Sequence, residues 1–174
     1  TKVSVEAGHA TAGTTQLLPG HGLLGLMDDI AERIAEQFVA QTRFDPQRRA
    51  ETEQVLYEKI PELLQALSAQ SEVSCTIEGH TARVSADALR SVGEALSRVI
   101  APLLPAGTEH VALDALLSTL PGLTFSHATS AVPPEATATR AAHLSLPEGE
   151  LLFQREVRCP VSYTHLRAHE TETN

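Results

Sequence analysis

Glu72-Val-Ser-Cys-Thr-Ile-Glu-Gly-His-Thr-Ala-Arg-Val-Ser85 is the stretch on which the fold turns. Apolar and polar residues alternate on both sides of Glu78-Gly79, a pair suited to a tight hairpin turn, so strands are expected over Glu72–Glu78 and His80–Val84. Ser85 then offers a side-chain oxygen to the first turn of a helix. Leu89, Val92, Leu96, Val99 and Leu103 form the apolar face of that helix, which is expected to end at Pro105-Ala-Gly107.

Upstream, Val3, Val5 and Ala7 alternate with polar neighbours before a Gly8-His9 turn, and Ala10 to Leu18 is compatible with a second strand. After Pro19-Gly20, the residues Leu23, Met27, Ile30, Ile34 and Phe38 recur at helical spacing, predicting a helix that ends near Thr42. Phe44-Asp45-Pro46 stops it, because a residue before proline is disfavoured in the α region. A second helix is expected from Gln47 to Ala69, with Val55, Leu56, Ile60, Leu63, Leu64 and Leu67 as its stripe and a kink or break at Pro61. Downstream come a short strand at His110–Leu113, a turn over Ser118–Gly122 and a strand at Ala131–Val132. A helix opened by Pro133-Pro134-Glu135 runs on to Leu144, and a last strand is marked by Leu151, Phe153 and Val157. The order predicts an α/β chain with local α+β character.

The chain has 174 residues and a formal charge of −9, with no basic run, which argues against nucleic acid as partner. No apolar stretch approaches the roughly 20 residues of a membrane helix, so no membrane partner is expected and a cytoplasmic setting is the default. Cys75 and Cys159 stand far apart and imply no disulfide framework; Cys75, in a strand-like run, reads as a small buried hydrophobe.

Taken together, Ile77-Glu-Gly-His-Thr-Ala-Arg-Val-Ser85, the helices around it and Val132-Pro-Pro-Glu-Ala-Thr-Ala-Thr-Arg-Ala-Ala142 resemble the second lobe of the actin-fold ATPases, specifically the seventy-kilodalton heat-shock chaperone family. The last stretch is similar to that family's Asn-Pro-Asp-Glu-Ala-Val-Ala-x-Gly-Ala-Ala. The resemblance covers nearly all of residues 1–146. It implies an actin-like lobe in which helices pack on a small antiparallel sheet, joined to part of an inner sheet. Residues 1–20 would be a hairpin of the inner subdomain, 21–106 the outer subdomain and 107–160 part of the inner one. It also implies a parent protein with ATP and Mg²⁺ as cofactors, protein clients, and a first lobe as the partner of this one.

The nucleotide-facing positions depart from the family pattern. Where the family has Gly-Gly-x-x-Phe-Asp, Gly22-Leu-Leu-Gly25 holds its glycines at a different spacing. On the second helix Glu58 matches the adenosine-side glutamate, but the basic positions that follow read Pro61 and Glu62. In Leu116-Leu-Ser-Thr-Leu-Pro121, the residues Ser118, Thr119 and Pro121 match the family's Gly-Gly-Ser-Thr-Arg-x-Pro turn, with leucine in both glycine positions; Arg140 likewise replaces a glycine. Glu58, Ser118 and Thr119 are therefore the nucleotide-site positions the resemblance retains, although a plain turn after a strand is the favoured reading of Ser118 and Thr119. No catalytic residue is assigned, and no cofactor is expected in this chain by itself. The resemblance implies a chaperone-like parent with a degenerate nucleotide pocket; the alternatives are a non-catalytic interaction scaffold of the same fold and an unrelated α/β binding domain.

Other candidates have plainer readings. His9, His21, His80, His110, His127 and His143 show no compact ligand spacing, and Asp28 with Asp29 or Glu51 with Glu53 are neighbours that face apart on a helix. His165 and His169, with Glu170, have the spacing of a helical zinc site. They lie, however, in Val161-Ser-Tyr-Thr-His-Leu-Arg-Ala-His-Glu-Thr171, which resembles a translated sequencing-library adapter, so no metal site is assigned. With Thr1 rather than Met at its start, the chain is expected to be an internal piece of a larger protein, and 161–174 a non-native tail. Deleting Val161–Asn174 is expected to move the thermal midpoint by less than about 3 °C, less than the shift of ~1 kcal/mol in a domain of this size, as differential scanning calorimetry would register.

Overall fold

A computed structural model describes residues 1–7, 9–136, 139 and 156–158. The chain divides into two compact units, Thr1–Leu18 with Ser145–Asn174, and Pro19–Leu144. In the smaller unit, β1 (Val3–Glu6) pairs antiparallel with β2 (His9–Ala12), from Val3 opposite Ala12 to Glu6 opposite His9. Ala7 opens the turn at φ 48°. The second strand is shorter than the expected Ala10–Leu18 and is bordered on its far side by Glu156–Arg158. The adapter-like tail, His143, Cys159, Leu151 and Phe153 lie outside the described residues, as does most of the helix expected after Pro134.

The larger unit is built on helix α1 (Leu23–Thr42), whose bounds follow the apolar periodicity. Ile30, Ala31, Ile34, Ala35 and Phe38 are buried, while Leu23 at the first turn is 60% exposed. Arg43 ends the helix in the left-handed region (φ 63°), its amide bonded to the Val39 carbonyl. Asp45 then caps a short 3₁₀ turn, Pro46–Arg48, through Gln47 N–H. Helix α2 begins at Ala50, later than expected, because those three residues take the tighter turn. Its one buried polar side chain, Thr52, donates to the Pro46 carbonyl at 2.6 Å.

Helix α2 (Ala50–Leu67) continues through Pro61 without the break that was one of the two expectations there. Proline removes one helical hydrogen bond, but Pro61 is on the exposed side, and Leu56, Ile60, Leu63, Leu64 and Leu67 hold the helix to the core before and after it. Val55, expected on the buried stripe, is 37% exposed.

The strands β3 (Glu72–Ile77) and β4 (His80–Ser85) form a hairpin, paired antiparallel in full register from Glu72 opposite Ser85 to Ile77 opposite His80. Glu78 (φ 46°) and Gly79 (φ 81°) both take the left-handed conformation that matches strand twist in a two-residue turn. Cys75, Ile77, Ala82 and Val84 turn to the helices and are buried; the other face carries exposed Ser74, Thr76, Thr81 and Arg83. Ser85 accepts the Ala88 amide at 3.2 Å and starts α3 (Ala86–Ile100). The expected extension of that helix to Leu103 is a 3₁₀ turn instead, with Pro102 inside it.

Beyond α3, β5 (His110–Asp114) and β6 (Ala128–Val132) form a parallel pair. The segment between them folds back on α3. An added Cβ at Gly93 would lie 2.2 Å from the Pro121 carbonyl oxygen and 2.5 Å from the Leu123 nitrogen. Gly122, at φ +83°, would put a Cβ 2.2 Å from the Arg90 carbonyl oxygen. Two backbones thus touch, and Ser97 secures the contact by accepting the Thr124 amide at 3.0 Å. The docked segment lays Leu120, with Leu116 and Leu123, over the core of α1 and α2.

Gly93→Ala is therefore expected to destabilise the chain by about 3 kcal/mol or more, since the clash is with backbone and cannot be relieved by a rotamer. Gly25→Ala in α1, whose Cβ meets nothing nearer than 4.0 Å, is expected to be neutral or stabilising by up to about 1 kcal/mol. Urea unfolding of the two variants measures the contrast.

Candidate functional site

The positions singled out from the sequence fall on two elements that touch. Ser118 and Thr119 lie on a 3₁₀ turn, Leu117–Thr119, which packs against α2, the helix that carries Glu58. The turn-facing residue of α2 is Leu64. Glu58, six residues earlier, is rotated by about 240° around the helix, so it points elsewhere, exposed and accepting a hydrogen bond from Gln54 at 2.9 Å. The hydroxyls of Ser118 and Thr119 both donate to carbonyls of their own turn, those of Ala115 and Leu116, each at 2.7 Å. Glu58 shares no hydrogen bond with either.

Leu116 and Leu117, in the positions where the family pattern has glycine, turn inward. With Leu26, Met27, Ile30 and Leu64 they enclose a dimple of about 10 Å³, room for no more than a single water. Gly22 and Gly25 at the start of α1 stand in open space, with no Cβ contact closer than 4.0 Å. What adjoins the retained Ser-Thr pair is an apolar interior.

The larger concavity lies on the other side of α2. A cleft of about 110 Å³ opens between α2 and β3, walled by Lys59, Glu62, Leu63 and Ala66 from the helix and by Val73–Thr76 from the strand. Cys75 contributes its free thiol to that wall. Burial pushes the thiol pKa up, Lys59 opposes this and Glu62 adds to it, so Cys75 is held in the neutral form and is no ready nucleophile.

One ionisable group, Tyr57, has a large shift. Tyr57 of α2 donates a short hydrogen bond to the Asp28 carboxylate of α1. That bond, then partial burial, then the negative charges of Asp28 and Glu53 raise the phenol to about 12. Exposed Asp28 thereby ties two helices, joined across 29 residues of sequence with no local signature. His80 stacks on Phe44 with ring centroids 4.3 Å apart, and His110 meets the Ser130 hydroxyl at 2.7 Å across β5 and β6. Among the described residues no three His, Cys, Asp or Glu side chains gather as metal ligands, and no helix is long and apolar enough to cross a membrane.

Comparison of the chain with protein-family models, curated proteins and solved structures returned no match.

The Tyr57 shift has a definite sign in stability. Up to about pH 10 both folded and unfolded chains keep the phenol protonated; between about 10 and 12 only the unfolded chain releases the proton, so stability falls as pH rises through that window. Absorbance titration is expected to resolve a tyrosinate midpoint near 12 for Tyr57, moving down toward 10 in Asp28→Asn. In Tyr57→Phe the alkaline loss of stability between those values should shrink.

Proposed function

We propose that this chain is second-lobe material of a chaperone-like, actin-fold protein that acts as a non-catalytic interaction scaffold in the cytoplasm, without closing on a nucleotide. The observation that carries the proposal is the inward packing of Leu116 and Leu117 against Ile30 and Leu64. In the family it resembles, glycines at these positions let the backbone approach the nucleotide; two leucine side chains occupy that space here. The internal hydrogen bonding of Ser118 and Thr119 and the separate orientation of Glu58 agree with it.

Support for the fold part of the proposal comes from the larger unit. Two long helices, a hairpin and a third helix follow in the order of the resemblance, with α1 and α2 both packed on the hairpin. The β5 and β6 pair adds a second argument. Parallel strands are ordinarily covered on both faces and set in larger sheets, yet every residue of β6 is exposed and the pair stands as two strands among the described residues. A parent sheet would supply the missing neighbours.

Recovering the full reading frame and titrating its product with ATP and Mg²⁺ by calorimetry tests both parts. The expected result is a first lobe upstream of Thr1 and no heat of binding at millimolar nucleotide. Micromolar ATP binding that is weakened by Thr119→Val would overturn the scaffold reading, and a reading frame with no actin-like first lobe would overturn the family assignment.

A further inference from the structure

The two edges of the β3 and β4 hairpin are treated differently. In a hairpin closed by a two-residue turn, the pair flanking the turn exchanges hydrogen bonds, and bonded pairs then alternate along the ladder. Ile77 with His80, Cys75 with Ala82 and Val73 with Val84 are therefore the bonded pairs. The backbone groups of Thr81 and Arg83 must point outward from β4, and those of Ser74 and Thr76 outward from β3. At Arg83 this is directly visible. The Gln41 amide of α1 donates to the Arg83 carbonyl at 2.8 Å and accepts the Arg83 amide at 2.9 Å, taking the place of a neighbouring strand.

No such plug stands at β3. Among the described residues the outward amides and carbonyls of Ser74 and Thr76 have no hydrogen-bond partner, and both residues are exposed. This edge borders the 110 Å³ cleft, whose floor is made apolar by Leu63 and Ala66. At its rim, Lys59 and Glu62 are one helical turn apart and make no ion pair among the described residues. The charges of the hairpin itself are matched, Arg83 with Glu72 at 3.3 Å and Arg49 with Glu78 at 3.1 Å.

We propose that the β3 edge and this cleft bind an extended peptide segment of a partner protein, which adds as a third strand through Ser74 and Thr76. Alternate side chains of an added strand enter the same side, about 6.6 Å apart. That spacing is close to the ~5–6 Å between side chains one helical turn apart. A segment carrying a carboxylate for Lys59, a cation for Glu62 and then a small aliphatic residue for the floor fits the rim charges in order. Pairing of two copies through the same edge would bring together chains of formal charge −9 each, which disfavours a second copy as occupant.

The blocked peptide acetyl-Thr-Glu-Thr-Lys-Thr-Val-Thr-amide, together with its reversed sequence to present the opposite strand polarity, is the probe. Titrated into the ¹⁵N-labelled 174-residue chain, one of the two is expected to shift the Ser74 and Thr76 amides. Ser74→Pro removes an outward N–H that the hairpin ladder does not use, so it should leave the melting temperature nearly unchanged and raise the dissociation constant at least tenfold. N-methylation of the peptide backbone should do the same to the bound peptide. Shifts that map elsewhere, affinity indifferent to both changes, or no shift with either peptide at millimolar concentration would overturn the proposal, as would concentration-dependent shifts of Ser74 and Thr76 in the chain alone. If Ser74→Pro unfolds, Ala66→Phe, which fills the cleft from α2, replaces it with the same expected loss.

Discussion

The contact between Gly93 on α3 and the backbone at Pro121–Leu123 decides how the larger unit closes. Helix α3 offers a flat patch there, and Gly122, turned to φ +83°, offers another. Any side chain at either position would force the segment and the helix apart, since its Cβ would stand 2.2 Å from a backbone oxygen. Because none is present, the chain after β5 doubles back tightly, and Leu116, Leu120 and Leu123 come down on α1 and α2. The core thereby gains a third wall beyond the helix pair and the hairpin. The fate of the Ser118-Thr119 turn follows from the same closure, since its flanking leucines are carried inward with it.

Most of the stability resides in that interior. Phe38, Ile34, Leu56, Ile60, Leu64, Ile77 and Leu89 are almost completely removed from water, each worth roughly 1.5–3 kcal/mol of burial. The ion pairs among the described residues are all at the surface, where a pair contributes about 0–1 kcal/mol. They serve better as orienting devices: the forked pairing of Arg49 with Glu78 holds the hairpin turn against the start of α2. Tyr57 with Asp28, and Gln41 with Arg83, have the same character, as polar ties that fix how apolar elements meet.

Features of the fold that depend on neighbours in sequence were legible. The limits of α1, the Glu78-Gly79 turn and the Ser85 cap each rest on spacing or side-chain chemistry within a few residues. Pro61 does not break α2 because its local penalty is outweighed by five buried side chains spread along the helix, a sum that only the packed structure reveals. Gly93 gave no signal at all: a glycine within a helix reads as a weakness until the segment that lies against it, 28 residues on, is in view. The candidate site was legible only as residue types at family-like positions. Glu58 faces away from Ser118 and Thr119 because the helical repeat sets it about 240° from Leu64, and the apolar stripe of α2 turns Leu64 toward them.

Under the proposed reading, the two leucines beside that turn also bear on why a nucleotide pocket and this core would be alternatives. Glycine there leaves room for a ligand and contributes nothing to burial; a half-buried leucine contributes on the order of 1 kcal/mol to stability whether or not a ligand is present. A site that must stay open forgoes that gain, which is one origin of the opposition between stability and function. At Leu116 and Leu117 this chain has taken the burial, and its remaining open features, the β3 edge with the Lys59 and Glu62 rim, lie on the opposite flank of α2, where packing of the core leaves them unfilled. If the proposed scaffold role holds, selection for a stable frame that presents an edge would favour such a distribution, whereas selection for nucleotide closure would favour its reverse.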